Sequence, residues 1–260
     1  MVARQQRGQS ASPMVLIKIF LGTLVLVPLI TGLLLWFLPA SLVWRGLEAD
    51  QNLPYGSRVT LPRGTLHEGY ATLRFRTFPP SKISWTLTGL GLIERPLALQ
   101  YQLSLEGPNH AVNATASLQP SKLSFSDVSG FIESEDINRL AGPFGHQFSG
   151  RVDIDLSSIH WRPPCLETAV GQVNWTGGLI TLNIFDRVSN YPLPALTTLL
   201  GATDCGIKMS VNHQKKTVAD FQLTDRGWFT ARLQPELLKL AKVPDANQIR
   251  EPLLFEEKIL

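Results

Sequence analysis

Cysteine is nearly absent from this 260-residue chain, which has only Cys165 and Cys205. That scarcity removes the ligand sets of zinc modules, which need several thiolates or imidazoles at short spacing. Also missing are a Gly-x-Ser-x-Gly elbow and a glycine-rich phosphate loop, so no hydrolase nucleophile or phosphate cradle can be read. Strand and helix patterns do not alternate, which excludes the parallel α/β sheets that carry much nucleotide and sugar-nucleotide chemistry. A dense basic stripe is lacking too. The formal net charge is +3, and with Arg4, Arg7 and Lys18 set aside the remainder is close to neutral, unlike a nucleic-acid-binding domain.

The most consequential absence is of charge between Ile19 and Phe37. About 19 residues at roughly 1.5 Å each approach the ~30 Å of bilayer hydrocarbon, where only a helix satisfies its own backbone. Pro28, Gly22 and Gly32 suggest a kink or a packing face. Arg4, Arg7 and Lys18 precede the run without an acid, whereas Arg45, Glu48 and Asp50 follow in mixed sign, so the N-terminus is expected to be cytoplasmic. Trp36 and Trp44 flank the far end, where aromatic rings favour the interface. The run is longer than a signal-peptide core of about 7–15 residues, although Leu38-Pro39-Ala40-Ser41 resembles a cleavage site. It has no polar face, as a buried helix of a soluble domain would. The expected division is a tail at 1–18, a transmembrane helix at 19–38 and an outer β-rich domain at 39–260.

Past the anchor the period becomes two. Ala71, Leu73 and Phe75 alternate with Thr72, Arg74 and Arg76, and Leu97 to Leu105 carry the longest such run. Similar segments at Ile83–Leu87, 112–118, 152–156, 180–184, 207–211, 219–223 and 229–233, separated by turns such as Gly107-Pro108-Asn109 and Asp127, give about ten strands. An antiparallel sheet with one dry face follows. It can close into a sandwich, curl into a gutter plugged by short helices, or leave an apolar groove. Short helices are expected where Ser134 caps Glu135 and Asp136, from Pro235 to Leu240, and over Ala195–Leu200. The stretch from Val243 to Leu260 reads as a tail ordered by a partner.

Candidate chemistry is thin. Asp153 and Asp155 have the spacing of a metal and sugar-nucleotide pair, but they occupy the polar positions of a strand whose other face is Val152, Ile154 and Leu156. His67 and Glu68 are adjacent, so in a strand they point to opposite faces. His110, His146, His160 and His213 stand alone and read as surface or turn residues. Trp85, Trp161 and Trp175 read as core packing. Asn113-Ala114-Thr115 and Asn174-Trp175-Thr176 match glycosylation acceptors, meaningful only in a eukaryotic secretory pathway. Cys165 and Cys205 fall on the outer, oxidising side; paired, they close a loop of about 40 residues valued at roughly 4 kcal/mol. Two free buried thiols are the alternative. No catalytic, cofactor-binding or metal residues are assigned.

Three motifs occur in order behind the anchor: Gly64-Thr65-Leu66-His67-Glu68-Gly69-Tyr70-Ala71 with Ile83-Ser84-Trp85, then Phe148-Ser149-Gly150-Arg151-Val152-Asp153-Ile154-Asp155-Leu156, then Trp161-Arg162-Pro163-Pro164-Cys165 leading to Gly171-Gln172-Val173-Asn174-Trp175. From the anchor to Gly178 this arrangement resembles protein N of the bacterial type II (general) secretion pathway. The resemblance implies a single-pass inner-membrane protein with its C-terminal domain in the periplasm of a Gram-negative bacterium. It also implies a mainly β fold in which the anchor precedes an antiparallel, curved sheet with a few short helices. The implied role is non-enzymatic: supporting export of folded proteins through contacts with other secretion components, without cofactors or nucleic acid. A relation to AsmA-like envelope domains keeps a lipid-handling role open, and a membrane-anchored glycosyltransferase stands third.

Overall fold

The structure, a computed structural model, describes residues 26, 37–42, 57–91, 97–163, 165–184 and 187–258. The cytoplasmic tail expected at 1–18 lies outside the described residues, as does most of the span expected at 19–38. No helix among the described residues is long and apolar enough to cross a membrane.

Among the described residues there are sixteen strands, where alternation suggested about ten. The first half of the chain is a meander of β1 (Ser57–Gly64), β2 (Glu68–Phe75), β3 (Phe78–Gly91), β4 (Ala98–Gly107), β5 (His110–Gln119) and β6 (Lys122–Glu133). After α1 (Ser134–Ala141), a 3-10 turn at Gly142–Phe144 and β7 (Gln147–Phe148), the sheet resumes with β8 (Arg151–Arg162) and β9 (Cys165–Trp175). A second excursion, β10 (Gly178–Ile184) and β11 (Arg187–Leu193), precedes β12 (Leu196–Thr203), β13 (Gly206–His213), β14 (Lys216–Leu223) and β15 (Trp228–Leu233). Helix α2 (Pro235–Leu240) and β16 (Leu253–Lys258) complete the chain.

Thirteen of these strands form one sheet in chain order, and β7, β10 and β11 form a three-stranded second sheet. Every pairing is antiparallel, as hairpin connections require. The two excursions leave the large sheet at the same end, after β6 and β9, and join each other through β7 and β10. That end, which also holds α1 and α2, is distal. The opposite, proximal end holds the β1–β2 turn and the β8–β9 and β12–β13 hairpin tips.

The expected dry face is real and spans the whole sheet. Register aligns Ala71, Ile83, Leu105, Val112, Gly130, Ile154, Val173, Thr198, Val211, Ala219, Leu233 and Leu253 in one transverse row. Arg74, Lys82, Gln102, Asp155, Lys208 and Asp220 lie on the other face. Burial on the dry face is incomplete. Its fully buried members are mostly small, such as Ala71, Ala114, Ala116, Ala169, Ala219 and Ala231, and the core divides into three clusters.

Four expectations need correction. Ala195–Leu200 is not a helix: Leu196–Thr203 is a strand between β9 and β13, because two flanking ladders outweigh a weak local propensity. The terminal stretch is not partner-ordered throughout, since Leu253–Lys258 pairs with β15. Ser134 does not cap α1: the N-cap is Glu133, without a side-chain cap bond. Asp127, read as a turn, sits inside β6 at a bulge with φ 52°.

Candidate functional site

The first motif builds a joint between residues 38–40 and the sheet. Pro39 bridges Thr65, and Leu66 N–H donates to the Leu38 carbonyl at 3.1 Å. Ala40, 1% exposed, enters a cluster with Val59, Ala71 and Trp85. The Trp85 indole N–H donates to the Thr65 carbonyl at 3.0 Å, and any side chain at Gly69 would run into its ring. The Thr65 hydroxyl lies 2.6 Å from His67 Nδ1, while Glu68 is exposed, so the pair is not assembled as an acid and base.

The second and third motifs converge on a matching joint at the distal end. The Trp175 indole N–H donates to the Ser149 carbonyl at 2.8 Å, and Ser149 N–H donates to Leu179 O at 3.0 Å. Arg151 N–H donates to Thr176 Oγ1, and Thr176 N–H returns to Arg151 O, both at 2.9 Å. Asn138 of α1 holds Phe148 through both backbone groups at 2.7 and 2.6 Å. A tryptophan N–H thus closes a turn at each joint, satisfying a carbonyl that the ladders leave over.

Asp153 and Asp155 remain on the polar face, and Asp153 is spent on Arg151 Nε at 2.7 Å. The same guanidinium lies 4.1 Å from the centre of the Phe131 ring. Asn174 Oδ1 accepts from Thr197 Oγ1 at 2.8 Å, while Asn113 is exposed. His146 Nδ1 accepts from Asn183 N–H at 3.2 Å, and His213 Nδ1 lies 3.2 Å from the Ala195 carbonyl. Of the three tryptophans expected in the core, Trp85 is buried, Trp175 is part-buried and Trp161 is 40% exposed. Trp36 and Trp44 lie outside the described residues.

Cys165 and Cys205 are joined in a disulfide across a sequence separation of 40, with Cα atoms 4.4 Å apart. It links the β8–β9 tip to the β12–β13 tip. The regular β9–β12 ladder stops at Gly171 and Leu200, so beyond it the two tips are held by the disulfide and by one long bond from Leu166 N–H to the Cys205 carbonyl at 3.5 Å.

His110 is the main revision. It is 2% exposed, with Nδ1 2.6 Å from Asp136 Oδ2 and Nε2 2.8 Å from Ser81 Oγ. Asp136 is fully buried and accepts from Asn109 N–H at 3.2 Å and Asn109 Nδ2 at 3.3 Å. Phe78 packs on the imidazole with centroids 4.8 Å apart. The connectivity is that of a Ser-His-Asp triad, but the chemistry is not. Ser81 is 2% exposed and donates to Pro79 O at 3.0 Å, so no substrate reaches its hydroxyl. The cluster instead fastens α1 to β3 and to the β4–β5 turn. Its members lie 26 and 29 residues apart, so only the sheet register could have brought them together.

Burial pushes the Tyr101 phenol above its usual value. Comparison with family models matches residues 56–237 to the type II secretion system (T2SS), protein N. Neither the curated proteins nor the solved structures give a match.

Proposed function

Because the chain belongs to the type II secretion system protein N family, we propose that it is a non-enzymatic inner-membrane part of that machine, acting by protein contact from the periplasmic side. In this reading Ile19 to Phe37 cross the membrane, Leu38–Ala40 fix the span to the sheet, and the outer edge of the sheet receives a partner. The observation that carries it is the asymmetry of the two edges. The β1 edge is blunted by Pro62, by a bulge between Thr60 and Arg63, and by Ala40 packing on Val59. The β16 edge is exposed at all six residues and pairs on one side only. An unpaired edge of this kind is a ready template for strand addition.

Deleting the gene in its host and comparing secreted proteins in medium and periplasm tests the role. Exoproteins retained in the periplasm behind an intact outer membrane are expected. Normal export would reject a required part in secretion.

A further inference from the structure

Among the described residues no second sheet packs into the core clusters of the large sheet's apolar face, and its residues are arranged as a passage open at one end. From β2 to β15 the register rows of this face carry no Asp, Glu, Lys or Arg except Lys216, opposite His213 at the distal end beside α2. Ile83, Leu105, Val112, Ile154, Val173, Leu200, Met209 and Phe221 along it are only part-buried. Thirteen twisted strands exceed the roughly ten at which open sheets curl. The distal end is stopped on this same face, by α1 held at His110 and by α2, whose Leu237 and Leu240 pack on Val211, Val218 and Ala219.

The proximal end has no such stop among the described residues. Its outermost row, Leu90, Leu99, Leu118, Leu123, Trp161 and Leu166, is wholly apolar. Leu90 is 52%, Leu118 46% and Trp161 40% exposed, an arrangement that costs free energy in water. This is also the end to which Leu38–Ala40 are fixed. Leu87 N–H bonds to His67 O in the β1–β2 turn, and Leu90 lies three residues beyond it, about 10 Å along the strand.

From these observations we infer that the apolar face of the sheet is a binding site for phospholipid acyl chains, which enter from the bilayer at the row Leu90 to Leu166. The inference rests on the reading that Ile19 to Phe37 span the membrane, because that span is what holds the open row beside lipid. Away from Lys216 at the closed end the floor is uncharged, which suits this ligand. An acyl chain brings no polar group to be satisfied, whereas a peptide laid on the same floor would bury backbone N–H and C=O groups without partners.

The test reconstitutes the full chain in phospholipid vesicles containing a phospholipid with a photoreactive diazirine on its acyl chain, and maps labelled peptides after illumination. Label is expected in β6, β8, β9 and β12 as well as in residues 19–38. Leu200→Arg, which puts a charge on the floor, lowers the sheet label several-fold and leaves label in 19–38. Leu199→Arg, one residue along on the polar face, leaves both. Label confined to 19–38 overturns the acyl-chain site while the anchor stands. Label in neither region overturns both. Equal sheet label in the two variants overturns the site, because face and not proximity must decide. The unsubstituted chain alone decides the first three outcomes if Leu200→Arg fails to fold.

Discussion

His110 and Asp136 show what one buried polar contact does in a protein whose core is thin. Both are enclosed, and removing either leaves the other buried without its partner, so His110→Ala or Asp136→Ala is expected to cost about 3–5 kcal/mol in urea unfolding. Asp153→Ala, which breaks a half-exposed pair with Arg151, is expected to cost about 0–1 kcal/mol. Similar losses at all three positions would show that the buried cluster is no more than a surface pair. Tyr101 gives the pH dependence. Its phenol is raised by burial, so its contribution is complete below the unfolded tyrosine value near 10 and is lost as pH rises through the folded value. Tyr101→Phe should therefore lose less stability than the unsubstituted protein as pH rises above about 10. Parallel losses would place the alkaline sensitivity elsewhere.

Among elements, the two joints and the disulfide matter more than any strand alone. Gly150 has φ +90° and faces the Gly177 carbonyl where a Cβ would sit, so Gly150→Ala combines backbone strain with a clash. The expected result is faster amide exchange in β7 and β10, with β3 to β5 unchanged; uniform acceleration would mean that the joint is not separable from the sheet. Cys165 and Cys205 should give no thiol label in unfolded, unreduced protein, and replacing both with Ser should cost roughly 2–4 kcal/mol. The strands that alternation revealed, such as β3, β4 and β13 to β15, are those whose two faces differ cleanly in polarity. β12 was illegible because Thr198 stands on its dry face and Leu199 on its wet one, an inversion that only β9 and β13 correct. β6 was hidden by Asp127 and Gly130, which look like turn residues but sit where the ladder bulges or approaches closely. The two tryptophan joints fall within motifs visible in the chain. Their geometry was not readable there, because each acceptor carbonyl lies 20 or 26 residues away.

At the scale of the molecule, a single sheet of thirteen strands must account for two faces and two edges. The polar face is solvated and β1 is blunted. The dry face remains, with β16, whose Leu253, Leu254 and Phe255 are 36%, 56% and 54% exposed. Apolar side chains on an unpaired edge risk aggregation unless another chain covers them, and that makes the edge a test of function distinct from stability. Phe255→Lys is the informative change. An exposed edge position away from the packed clusters should alter stability by no more than about 0.5 kcal/mol, while a lysine discourages strand addition. If β16 receives a secretion partner, the variant should fold with an unchanged melting temperature, yet fail to restore export in a strain lacking the gene. Full restoration by a stable Phe255→Lys protein would remove the edge from the mechanism and leave the apolar face as the surface through which the domain acts.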